Sequence, residues 1–158
     1  MTGAGLMNCK KALEKSNGNM DGALEILKEQ GIAKAKKKEQ RETRQGLVET
    51  YIHFGGRIGA LVELNCETDF VAHTDEFKCL AHDLAMQVAA TAPRFVSEEE
   101  IPPDVDASEN DPKEVCLLGQ PFIKDPEKTI RDLITEAVAK VGENIRVKRF
   151  ARFELGVD

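Results

Sequence analysis

The chain has no tryptophan and a single tyrosine among its 158 residues. Aromatics make up only 5% of it, so the place of each of the seven phenylalanines is informative. No apolar run is long enough for a membrane-spanning helix. The opening stretch, MTGAGLMNCKKALEKS, has no apolar signal core, and Glu14 already sits in a helical pattern, so folded domain rather than a targeting segment is expected there. The four cysteines (Cys9, Cys66, Cys79, Cys116) form no C-x-x-C, and His53, His73 and His82 stand at no metal-ligand spacing. Reduced, mostly buried thiols are expected, with no metal and no cofactor.

The motifs of several enzyme classes are also missing. There is no G-x-x-x-x-G-K-[ST], no G-x-G-x-x-G after a strand and no H-E-x-x-H. TGAG at 2–5 precedes a helix, but no strand leads into it and no Lys-Ser/Thr follows, so it reads as a helix entry. No histidine falls in a Ser/His/Asp or Cys/His arrangement. Nothing in the sequence argues for catalytic chemistry. A net charge of -6 argues against a protein whose main task is coating nucleic acid.

What is present is the balance of an ordinary soluble protein, 41% hydrophobic and 32% charged. The length suits one domain, or one domain and a small module. Residues 1–31 read as two short helices, with Leu6, Cys9, Ala12 and Leu13 on one face and Met20, Ala23, Leu24 and Leu27 on the other's. Gly31 is expected as a left-handed C-cap. Two such helices cannot bury a core alone, so either a third is missing or the pair packs on something else. Residues 32–46 form a basic linker with no apolar stripe, a solvated spacer or a contact for RNA or an acidic surface.

Residues 47–158 read as the main domain. Val48, Thr50, Ile52 and Phe54 alternate, Gly55-Gly56 suits a tight turn, and Ile58, Ala60, Val62, Leu64 and Cys66 alternate on the return. One face of this hairpin needs a cover. Phe77, Leu80, Ala81, Leu84, Ala85 and Val88 supply it at helical spacing, and Pro93 ends the run. An acidic, proline-containing loop follows at 97–115, then extended chain at 117–126. A helix over 129–141 stops at Gly142, and a last strand alternates Ile145, Val147, Ala151, Phe153 and Leu155 on one side. The expected fold class is α+β: a small helical module, then helices on one face of an antiparallel sheet.

One segment is left over. Thr68, Asp69, Phe70 and Val71 lie between the alternating hairpin and the helix that covers it. From spacing alone, a buried ring is the commoner outcome for Phe70. Asp69 can cap backbone N–H groups or present charge to a partner. Together they make a short tip, an apolar ring flanked by an acceptor, suited to a groove on another protein.

Four blocks, TGAGLMNCKKALEKSNGNMDGALEILKEQG, GALVELNCETDFVAHTDEF, LLGQPFIKDPEKTIRDLI and GENIRVKRFARFELG, resemble the elongation factor Ts family in its short, single-core-repeat form from bacteria or plastids. The resemblance implies a guanine nucleotide exchange factor for the GTPase elongation factor Tu. It implies that Thr68, Asp69, Phe70 and Val71 are the working tip, with the ring entering a pocket beside the nucleotide site. Leu6, Met7 and Lys10 match positions that the family uses to dock a UBA-like N-terminal module on the same GTPase. The resemblance implies no enzyme chemistry, no cofactor, no membrane and no direct nucleic-acid contact. Pairing of two copies is left open. The bacterial cytoplasm or plastid stroma is the expected compartment, ahead of the mitochondrial matrix. The chain departs from the family pattern in three places. The family's first helix precedes TGAG, a helical segment is expected after the acidic loop but does not follow it here, and Asn8 stands where an acidic residue is common. A non-exchanging scaffold relative that binds the GTPase or the ribosome is the alternative.

Overall fold

The computed structural model describes residues 4–103 and 111–157. The first parts of the glycine-rich entry and the middle of the acidic loop therefore lie outside the described residues. Helices α1 (Leu6–Lys15) and α2 (Met20–Lys36) pack on each other and are joined by a turn at Asn17 and Gly18. Asn19 caps α2 by accepting from the Gly22 N–H at 3.0 Å. Ala12 and Ala23 are buried where the two helices meet.

Gly31 does not end α2, which continues to Lys36. The reason is packing. A Cβ at Gly31 would sit 3.4 Å from the Ala139 Cβ of a later helix, and Ala35 rests against the main core. Gly31 thus lies inside a helix–helix contact, and the pair finds its partner in the main domain.

Strands β1 (Gln45–Ile52) and β2 (Ile58–Cys66) pair antiparallel through the turn at Gly55 and Gly56, both with positive φ. The last strand, β5 (Ile145–Glu154), pairs with β2 on its other side, giving the order β1-β2-β5. Between β2 and β5 in sequence come α3 (Asp69–Ala72), α4 (Asp75–Thr91), α5 (Pro112–Val115), the small hairpin β3 (Pro121–Phe122) and β4 (Asp125–Thr129), and α6 (Ile130–Val141). The antiparallel sheet with helices on one face is the α+β architecture that the patterning implied.

The core sits between sheet and helices. Ala60, Val62, Leu64 and Cys66 of β2 face Phe77, Leu80, Ala81, Leu84, Ala85 and Val88 of α4, and every one of these is buried. Thr74 caps α4 with its hydroxyl, and Ala92 leaves it in the left-handed region ahead of Pro93. Thr129 and Asp132 form a reciprocal capping box on α6, and Gly142 ends that helix at φ 82°. A buried polar cluster fastens the β3–β4 hairpin to α4. Gln87 donates to Gln120 Oε1 (3.2 Å) and to the Pro121 carbonyl (3.1 Å), and accepts from the Ile123 N–H (2.9 Å).

Two strand faces differ from the alternation read off the sequence. In β1 both faces carry apolar residues. The covered side is Leu47 and Tyr51, which pack against the core, while Val48 and Ile52 are exposed. In β5 a bulge intervenes: Leu64 faces Val147 and Glu63 faces Arg149, so Lys148 has no opposite residue. One extra residue reverses the parity of everything after it. Ile145 and Val147 are buried, then Phe150 takes the inward place, and Ala151, Phe153 and Leu155 turn out.

Candidate partner-binding site

Strand β2 ends as its last side chain, Cys66, enters the core. Glu67 and Thr68 follow, and the single-turn helix α3 starts at Asp69. Thr68, in extended conformation, is the N-cap: its Oγ1 accepts from the Val71 N–H at 3.4 Å. Asp69 is therefore not the cap. Among the described residues its carboxylate takes no hydrogen bond, and it faces solvent.

Phe70 is 81% exposed and Val71 only 6%. The tip thus has two environments in adjacent residues. Val71 and Ala72 enter the core and fix the turn from beneath, and the ring of Phe70 stands outside. A shallow open hollow of about 390 Å³ lies beside it, lined by Asp69, Phe70, His73 and Thr74. The ring's apolar surface is left in solvent, as are those of Phe54 and Phe153.

The turn is fixed at both ends. At the C-terminal end, His73 Nδ1 donates to the Asp69 carbonyl (2.7 Å) and Thr74 Oγ1 to the Val71 carbonyl (2.7 Å). At the N-terminal end, Glu143, from the turn between α6 and β5, accepts the Thr68 hydroxyl at 2.7 Å and the Thr68 N–H at 3.0 Å. Underneath, burial and then the Glu143 carboxylate push the Cys66 thiol up to about 11. It stays protonated at neutral pH and donates to the Thr68 carbonyl at 3.0 Å. Cys66 is a structural donor here rather than a nucleophile.

The second group of expected residues lies on α1. Leu6 is 86% exposed and Met7 62%, and Lys10 is exposed with a weak i,i+4 pairing to Glu14. Met20 and Ile32 add exposed apolar surface on α2. The structure therefore leaves both sequence-identified apolar groups, the tip and the α1 face, open to solvent. Glu67, Glu143 and Asn144, which fasten the tip, were not singled out by the sequence. They carry no periodic signal, and Glu143 meets Thr68 across 75 residues of chain. Among the described residues no cluster of three or more potential ligands could hold a metal ion.

A family model described as Elongation factor TS matches residues 28–112 and 109–157. Elongation factor Ts of Carboxydothermus hydrogenoformans is 51% identical over 182 residues, taking in 98% of this chain and 84% of the relative. That of Heliobacterium modesticaldum is 50% identical over 182 residues, with 98% and 85% covered.

The chain belongs to the elongation factor Ts family.

Elongation factor Ts of Thermodesulfovibrio yellowstonii adds a 49% match over 181 residues, covering 98% of this chain and 90% of the relative. The match to the first relative runs over 182 residues against the 158 of this chain, so at least 24 aligned positions have no counterpart here. The two stretches matched by the family model meet at 109–112. That is where the sequence reading expects the family's helical segment to be absent.

Proposed function

We propose that this chain is a guanine nucleotide exchange factor for the GTPase elongation factor Tu, and that the Asp69–Phe70 tip acts beside the phosphate and Mg²⁺ site of that partner. The observation that carries the reading is the solvent-exposed Phe70 ring on a one-turn helix anchored through Val71. A phenyl ring has only two side-chain torsions to order when it enters a pocket. The chain makes and breaks no bonds itself. It promotes GDP release by binding the nucleotide-free partner better than the GDP-bound one.

The energetics require more than the tip. Raising a nucleotide dissociation constant about 10⁴-fold needs roughly 5.5 kcal/mol of differential binding. One buried Phe supplies about 1.5–3 kcal/mol. The exposed Leu6, Met7 and Lys10 face of α1 is the second docking surface in this reading, and the sheet-and-helix domain at 47–158 supplies the frame between them. The helical pair, which runs to Lys36, is the UBA-like module of the family pattern in this reading, with the basic segment between it and β1 as its connection. The compartment proposed is that of bacterial or plastid translation.

The exposed sheet face with Val48, Ile52, Leu61 and Phe153 supports pairing of two copies as a further partner relation. A scaffold that holds elongation factor Tu or the ribosome without exchanging nucleotide is the second reading, favoured by the gap of at least 24 positions against the first relative.

The test is reciprocal linkage. The affinity of the chain for nucleotide-free elongation factor Tu should exceed its affinity for the GDP-bound form by the factor by which it weakens GDP binding. Equal affinity for both forms would sink the exchange reading and leave the scaffold.

A further inference from the structure

A four-residue helix cannot hold itself, because its nucleus fixes several dihedrals for each hydrogen bond gained. Something outside α3 must fix the tip. The Thr68 hydroxyl has one proton to give. That proton goes to Glu143 Oε1 at 2.7 Å, which turns the oxygen's lone pairs toward the Val71 N–H. The other carboxylate oxygen, Oε2, takes the Thr68 N–H at 3.0 Å. Both bonds are charge-assisted, the stronger kind.

Glu143 reaches this place because Gly142, at φ 82°, turns the chain out of α6. The next residue, Asn144, is 3% exposed. Its N–H donates to Glu67 Oε1 at 2.7 Å, and its amide donates to the carbonyls of Glu39 (3.2 Å) and Arg41 (2.9 Å). Arg41 closes the group on Glu67 at 3.4 Å. Two consecutive residues thus tie the end of β2, the start of β5 and the chain arriving from α2.

We propose that Glu143 is a positioning residue that presets the Thr68–Val71 turn, and that Glu143-Asn144 together set the direction of the Phe70 ring relative to the N-terminal helices. The kinetic arm of its test rests on the exchange reading above. The structural arm does not.

The structural arm is amide hydrogen exchange of the free chain. Glu143→Ala should speed exchange at Thr68 and Val71 about tenfold, with the core amides of β2 and α4 unchanged. Glu143→Gln, which keeps one acceptor oxygen, should fall between. The kinetic arm is GDP release from elongation factor Tu. Glu143→Ala should lower the rate per unit of chain about tenfold, and that loss should vanish when Phe70 is already alanine, since the carboxylate acts through the ring. Unchanged amides at Thr68 and Val71 would overturn the proposal. So would a loss of rate as large in the Phe70→Ala background as in the parent chain. If the parent chain itself fails to accelerate release, the exchange reading falls on that result, and the amides alone decide the role of Glu143.

Discussion

Phe70 and Val71 are neighbours on a single helical turn, and their side chains take opposite environments, 81% and 6% exposed. The pair sets an exposed ring beside a buried anchor. Phe70→Ala should leave stability within about 0.5 kcal/mol, as for other exposed positions. Val71→Ala removes two buried carbons and should cost about 1.5–2.5 kcal/mol. Urea unfolding of both variants checks this. Destabilisation by Phe70→Ala as large as that from Val71→Ala would mean that the ring is core.

Leu6 and Met7 stand free on α1. Leu6→Asp places a charge on that face without touching the core. It should keep the melting temperature and weaken binding to nucleotide-free elongation factor Tu about tenfold or more, the loss of one anchor in a two-point contact. Titration calorimetry reads both forms. Unchanged affinity would remove α1 from the interface.

The basic stretch begins in the last turn of α2 and runs on toward β1, where the carbonyls of Glu39 and Arg41 and the Arg41 guanidinium on Glu67 fasten it. Lys34, Lys36 and Lys37 are exposed. Reversing these three charges should leave the affinity for the GTPase within about threefold, because exposed charges contribute little. Abolished binding would show that the stretch is a contact.

Acid should weaken the α6 cap. Burial raises the Asp132 carboxyl, but the N–H and hydroxyl of Thr129, together with the charges of Lys28 and Lys128, outweigh it and hold the group below its ordinary value. A depressed folded pKa stabilises above the unfolded value and loses that contribution as pH falls through the folded one. Between about pH 7 and pH 5 the contribution should be constant, and below about pH 4 it should fade. Asp132→Ala should be less stable than the parent at neutral pH, with the gap narrowing in acid. A gap that is constant down to pH 2 would contradict the assignment.

How far the sequence could be read depended on the kind of signal. Helices α4 and α6 are legible because one apolar stripe faces one core, and β2 because its inward face alone is wholly apolar. Strand β1 is not, since Leu47 and Tyr51 compete with Val48 and Ile52 and either set could have turned inward. The outward turn of Phe153 follows from one unpaired residue, Lys148, and a bulge leaves no mark on the alternation itself. Gly31 reads as a stop by local rules, but packing of α2 on the main domain, with Gly31 beside Ala139, carries the helix on to Lys36. At the site, Asp69 and Phe70 stand out by type and place. Glu143 and Asn144 do not, because hydrogen bonds across 75 or more residues depend on how the chain folds back.

The most direct measurement is the release of a fluorescent GDP analogue from elongation factor Tu, alone, with this chain, and with its Phe70→Ala variant. The parent chain should accelerate release, and the folded variant should lose at least tenfold of that acceleration. Equal acceleration by parent and variant, or none by a folded parent, would contradict a tip that works through the Phe70 ring.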